Sequence, residues 1–227
     1  DLAPISFTGD LATNLVLEHT TAANLHGIIL KDTVPFIYDF KYGSGVSAGY
    51  NLFIGENSGN YTMGSAAGNA SHASYNIGIG FETLKTNSNG YHNVAIADSA
   101  LNKNTDGYNN IAIGRQAMYN NTTGRDNTAV GSFALINNIT GINNTAYGHS
   151  AMYHSDGGEE NVGIGMFALD TCAGMWNTAI GNNSLGQIIT GNYNSAIGSN
   201  AGRYFGVGGY PNYNTTSNYS VYLGSDT

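Results

Sequence analysis

The chain has 227 residues, enough for one large domain or two small ones, and 41% of them are hydrophobic, so it can bury a core. It holds 32 Gly but 3 Pro, only 10% of residues are charged, and Asn and Thr recur throughout, a composition of turns and short strands rather than helices. A formal charge of −8 without a basic cluster argues against nucleic acid as a partner, and the lack of any apolar run near ~20 residues argues against membrane insertion.

Residues 1–47 carry no repeat. The chain starts at Asp1 without Met or a signal-like stretch, which reads as a processed chain or an excised piece. "NLVLEH", "GIILKD" and "PFIYDF" are short apolar or alternating runs between turn signals, and they predict three strands of an N-terminal β cap or attachment segment. Capping the open edge of the repeat array is the favoured role, and docking to a preceding part of a fibre is the alternative.

Residues 48–203 repeat one phrase. Aligned on its leading residue, the register is Asn76, Asn93, Asn110, Asn127, Asn144, Asn161, Asn177 and Asn194, with weaker copies at Asn51 and Ser220. All intervals among the eight strong copies are 17 residues except one of 16. A Gly stands three residues before the Asn in seven copies, from Gly90 to Gly191, and another four after it, with Ala97 the one substitution in the second column, which implies two tight turns or close backbone approaches per copy.

Positions one and three after the Asn are largely β-branched, as in Ile77/Ile79, Val94/Ile96 and Ile111/Ile113, and predict one face of a short strand. We assign that face to the core. The opposite strip of Asn, Ala and Gly is left for the close approach of another coil or chain. Leu84, Leu101, Met118, Leu135, Met152, Leu169 and Leu185, eight after the Asn, predict a second short strand. The pattern predicts an all-β parallel β-solenoid (β-roll) of about ten coils with a 17-residue period. The Asn column is read as bend chemistry with amide ladders rather than as a row of ligands.

Residues 204–227 form an aromatic, Gly-rich loop and a final coil. Tyr204, Phe205, Tyr210 and Tyr213 lie among glycines and suit either stacking on a receptor's sugar rings or filling the end of an oligomer's core. Tyr91, Tyr108, Trp176 and Tyr193 precede the fixed Asn by one or two residues and would stack along one edge. They are receptor-binding candidates, with stabilisation of the solenoid the favoured role.

Chemistry has few candidates. Asp156, Glu159 and Glu160 share one turn, "HSDGGEEN", read as a solvated acidic turn with a weak Ca²⁺ site as the alternative. No histidine pair has zinc-site spacing, and no nucleophile elbow, P-loop or dinucleotide fingerprint occurs, so neither a catalytic set nor a cofactor is expected. The single cysteine, Cys172, reads as a small buried side chain and excludes an intrachain disulfide framework. Asn69, Asn121, Asn138 and Asn214 head Asn-x-Ser/Thr triplets that composition alone explains.

The phrases "NTAIG", "NTAVG" and "NSAIG", and the longer "MYNNTTGRDNTAVGSFALINNITG", resemble the head repeats of trimeric autotransporter adhesins and similar repeats of bacteriophage tail fibres and tailspikes. The resemblance covers about residues 48–203, and its period is longer than that of the shortest adhesin head repeats. It implies a left-handed parallel β-roll, intertwined or laterally packed as a homotrimer. The closing "SNYSVYLGSDT" resembles the segment that leads, in phage fibres, into a self-cleaving trimerisation chaperone.

The expected function is a structural and adhesive fibre segment rather than an enzyme, extracellular, on a virion tail fibre or a cell surface. Its expected partners are itself and a cell-surface polysaccharide or protein receptor. A tailspike-type polysaccharide depolymerase and a self-assembling extracellular filament are the alternatives. An ice-binding solenoid ranks last, because Thr128, Thr145 and Thr178 share their face with Ile and Val that we assign to the core.

Overall fold

The structure is a computed structural model. It describes residues 50–60, 73–203 and 215–224 in full, and the backbone of the short strands β1 Thr20–Thr21, β2 Ile29–Lys31, β3 Val34–Tyr38, β4 Phe40–Lys41, β14 Tyr204–Phe205 and β15 Asn212–Tyr213. "NLVLEH" and Tyr210 lie outside the described residues.

Each copy of the phrase contributes one three-residue strand. These are β5 Leu52–Ile54, β6 Ile77–Ile79, β7 Val94–Ile96, β8 Ile111–Ile113, β9 Thr128–Val130, β10 Thr145–Tyr147, β11 Val162–Ile164, β12 Thr178–Ile180, β13 Ser195–Ile197 and β16 Val221–Leu223. The ten pair in parallel, each with the next, in one sheet whose order follows the chain. Like positions are in register, for example Thr145 with Thr128 and with Val162. The result is an all-β parallel β-solenoid with a 17-residue period. Beyond β5 the sheet continues as antiparallel β3 and then β2, so the first coil's edge is paired by N-terminal chain.

Which face of the strand lies inside differs from the expectation. The middle residue of each internal strand, Ala95, Ala112, Ala129, Ala146, Ala179 or Ala196, or Gly78 and Gly163 in β6 and β11, is buried, while the mostly β-branched residues on either side point outward. The physical reason is width. Each coil already holds the fixed Asn, a Leu or Met eight residues on and the small residue before that, all buried, and only Ala or Gly fits in the remaining space. The Ala/Gly strip is therefore internal packing and offers nothing to a second chain.

The second predicted strand is also absent among the described residues. Residues four to ten after the Asn run as a series of turns. The column from Leu84 to Leu185 is left-handed, with φ between 47° and 54°, and so is the column two residues earlier, from Glu82 to Asn200. Left-handed backbone is costly for side chains larger than Gly, about 1 kcal/mol or more per residue. It is offset here by hydrogen bonds between coils, such as Leu101 N–H to Ala117 O and Ser99 N–H to Phe81 O. The leucines are thus aimed into the core from a curled segment that meets its neighbours without forming strands.

Both ends of the core carry a larger plug. At the inward strand position where internal coils have Ala or Gly, the first coil has Phe53, fully buried, and the last has Tyr222, packed against the core with its hydroxyl 3.0 Å from Ser217 Oγ. Gly78 makes room for the first plug, since a Cβ there would sit 2.7 Å from the Phe53 ring. Gly202 does the same for Tyr222.

The glycine four after the Asn is required by both conformation and contact. At Gly131, φ is +136° and a Cβ would strike the carbonyl oxygen of Gly148 in the next coil. Ala97 occupies the same column only with its backbone turned to φ +91°. We expect Gly131→Ala to lower unfolding free energy by about 1–3 kcal/mol in a denaturant titration. Gly224→Ala, where φ is +107° but nothing lies within 4 Å, should cost about 1 kcal/mol. Equal costs at the two sites would show that intercoil contact is not the constraint.

Candidate binding surfaces

The solenoid presents three kinds of lengthwise array: an internal pair of amide ladders, an outward apolar strip, and an edge of aromatic and polar side chains.

The fixed Asn forms the first ladder. Asn110 is typical: its Nδ2 donates to Asn93 Oδ1 at 3.2 Å and to Gly124 O at 2.8 Å, and its Oδ1 accepts from Asn127 N–H and Asn127 Nδ2, both at 3.1 Å. All four hydrogen-bonding sites of the carboxamide are used, and the residue is fully buried. The ladder starts at Asn51, whose Oδ1 accepts from Asn76, and ends where Ser220 N–H donates to Asn194 Oδ1.

A second ladder was not anticipated, although its signal is in the sequence as Asn87, Asn104, Asn121 and Asn138, 17 residues apart. Asn104 Nδ2 donates to Asn87 Oδ1, Asn121 Nδ2 to Asn104 Oδ1, and Asn138 Nδ2 to Asn121 Oδ1. In the next two coils Ser155 and Cys172 take this position. Ser155 Oγ turns to Leu169 O, so the buried Asn138 Oδ1 is left without a hydrogen-bond partner. Cys172 is buried against Asn177 Nδ2 at 3.4 Å, and burial pushes its thiol up to about 11, the inert state expected of a packed cysteine. Asn121 and Asn138 are fully buried in this ladder and are out of reach of glycosylation; Asn69 and Asn214 lie outside the described residues.

The outward strip consists of two columns. One is Leu52, Ile77, Val94, Ile111, Thr128, Thr145, Val162, Thr178, Ser195 and Val221; the other is Ile54, Ile79, Ile96, Ile113, Val130, Tyr147, Ile164, Ile180, Ile197 and Leu223. None of these residues carries a charge, in a chain whose net charge is −8. Ten strands at ~4.8 Å make a strip about 45 Å long. The first column is aliphatic through its first four members and then mostly Thr and Ser. The second is aliphatic throughout except at Tyr147, the most exposed of its internal members at 59%.

The predicted aromatic row is two columns rather than one. Tyr91 and Tyr108, two before the Asn, stack at 4.7 Å with ring planes 3° apart, and the Arg125 guanidinium lies over Tyr108. Burial and the neighbouring Tyr108 hold the Tyr91 phenol above its ordinary range. Trp176 and Tyr193, one before the Asn, stack at 4.7 Å, and Tyr219 extends that stack at 4.8 Å. Tyr50 and Tyr75 stack in the same column near the other end. Reading the position immediately before each Asn, and before Ser220 in the last copy, would have found all three added tyrosines. Between the two stacks the column holds His92, whose ring lies 5.0 Å from that of Tyr75, and then the polar Asn109, Asp126, Asn143 and Glu160, with Asn109 Nδ2 donating to Asp126 Oδ1.

This stacking decides what the edge can bind. A sugar ring packs on an aromatic face, and here faces are turned to the rings of adjacent coils. Within each stack the facing ring surfaces are covered, and among the described residues only the end rings, such as Tyr50 at 60% exposure, keep a face that no neighbouring ring covers. Tyr219, 78% exposed, ends its stack, and no ring follows it among the described residues. Tyr204 and Phe205 form β14, which pairs antiparallel with Asn212–Tyr213 so that Tyr204 lies opposite Tyr213.

The acidic turn does not converge. Asp156 accepts from Ile139 N–H, Glu160 accepts from the Trp176 indole at 2.8 Å, and Glu159 lies between Ile142 and Met175 in backbone bridges. Among the described residues no three His, Cys, Asp or Glu are grouped to hold a metal, and no helix is long and apolar enough to cross a membrane.

Extending the second ladder by Ser155→Asn supplies a donor to Asn138 Oδ1, and we expect it to raise unfolding free energy by about 1 kcal/mol in a urea titration. A loss would mean that the coil at residue 155 has no room for the carboxamide. Comparison with family models, with curated proteins and with solved structures finds no match to this chain.

Proposed function

We propose that this protein is a rigid segment of an extracellular adhesive fibre, in which three copies lie side by side through the outward strip and present their edges and ends to a cell-surface receptor. The observation that carries this reading is the uncharged, largely aliphatic strip running the length of the outward sheet face. A monomer's largest exposed apolar patch is ordinarily about 300–600 Å². A strip about 45 Å long and two side chains wide lies at or above the top of that range and approaches the ~800 Å² per partner of a stable interface. Three parallel copies around one axis bury it with closed symmetry. They also display the edge columns three times, so weak contacts combine by avidity.

The edge suits polar recognition. Its stacked tyrosines offer hydroxyls, and the Asn and Asp between them offer amides and carboxylates, which fits glycan hydroxyls or a peptide backbone. The depolymerase alternative needs two carboxylates facing one groove, and the acidic residues of the 156–160 turn are engaged separately. The filament alternative is favoured by β16, whose far side has no strand paired to it among the described residues. Ice binding still ranks last, for a different reason, because Thr128, Thr145 and Thr178 do point outward. They share their column with Leu, Ile, Val and Ser, and Tyr147 breaks the flatness of the neighbouring one.

Light scattering over a range of concentrations tests the assembly. The expected mass is that of three chains. Ile113→Glu, on an outward side chain, should give a folded single chain with an unchanged circular dichroism spectrum. A well-folded monomer for the unaltered chain would overturn the reading. Glycan arrays probed with the assembled protein and with Ile113→Glu should show retention that falls at least tenfold when avidity is lost.

A further inference from the structure

A strip that repeats every coil has a register problem. If two copies slide past each other by one coil, about 4.8 Å, isoleucine still meets isoleucine and only one coil's contact is lost. Periodic contacts therefore hold copies together without fixing their height. Uniform repeats need a non-periodic element for that, as a single polar core position does in coiled coils.

The aliphatic column contains one such element. Tyr147 stands between Val130 and Ile164 in strict register, in a column otherwise made of Ile, Val and Leu, and it projects beyond them. We propose that Tyr147 sets the axial register and the parallel direction of self-association, resting on the side-by-side reading above. In a parallel assembly with all copies at one height, the Tyr147 rings meet at one level, where they pack on one another and their hydroxyls have polar partners.

After a one-coil slip each ring lies against Val130 or Ile164 of its neighbour. The hydroxyl is then unpaired in an apolar contact, and the ring holds the aliphatic columns apart at every mismatched level. An antiparallel pair with full overlap sets β10 against β9, so Tyr147 meets Val130 there too. The same arrangement lays the aliphatic Leu52–Ile111 half of the other column on its Thr and Ser half. Both mismatches favour the parallel, level arrangement. The partner is a second copy of this chain, since the strip is uncharged while the chain as a whole is acidic and the Tyr mark complements itself.

A spin label tests this on the full chain. Thr123→Cys places the label on an exposed side chain away from the strip, and buried Cys172, its thiol pushed up to about 11, stays unlabelled at neutral pH. The expected result is one narrow interchain distance. Tyr147→Ile, which matches the rest of its column and keeps the fold, should add further distances from copies displaced by coil steps of ~4.8 Å. Moving the mark by one coil, in Tyr147→Ile with Ile164→Tyr, should restore a single distance. A single narrow distance in Tyr147→Ile at unchanged mass would overturn the role of Tyr147 alone. A chain monomeric at every concentration would overturn the side-by-side reading and this inference with it, and the mass measurement separates the two failures.

Discussion

Every side chain in the repeat lies between two copies of its own column, so a residue type persists only if it packs against itself at one strand spacing. Asparagine meets that condition at a bend better than any other polar residue. Its carboxamide donates on one side and accepts on the other, so identical groups line up head to tail with nothing left over. A column of Asp would set anion on anion, and a column of Ser has one donor where two are needed. The two Asn ladders form a polar seam inside each bend, and the glycines beside them exist because a Cβ would occupy the space of the amide.

A narrow interior follows from that seam. With the bend filled by Asn, each coil has room for one Leu or Met and small residues, and the larger β-branched side chains are displaced to the outside. A lone rod thus buries little apolar surface per ordered residue while exposing a continuous aliphatic strip. The same choice that makes coils stack well leaves the aliphatic strip outside, and the side-by-side association proposed above would bury it.

The period, the strand in each copy and the bend Asn were legible because self-similarity survives without knowledge of depth. Inside and outside were not. Alternation along Thr128-Ala129-Val130 defines two faces, and the usual preference for burying the larger ones fails where the cavity is one alanine wide. The leucine column misled for a different reason: Leu135 and its equivalents carry no mark of positive φ, so an apolar recurrence read as a strand when it belongs to a curl. The edge aromatics were found individually, but their grouping into two columns depends on whether a ring sits one or two residues before the Asn. That difference becomes spatial only once the bend is known.

The aromatic plugs at the two ends have a consequence for how such a molecule changes length. Phe53 and Tyr222 close the core against coils built on one plan, whose inward positions vary only among residues of similar role, so neither plug senses how many coils lie between them. Duplication or loss of a 17-residue unit in the middle alters the rod by one strand spacing and creates no new kind of junction. Reach becomes a quantity that gene duplication can adjust in fixed increments, like links in a chain, while the chemistry at the tips is inherited unchanged.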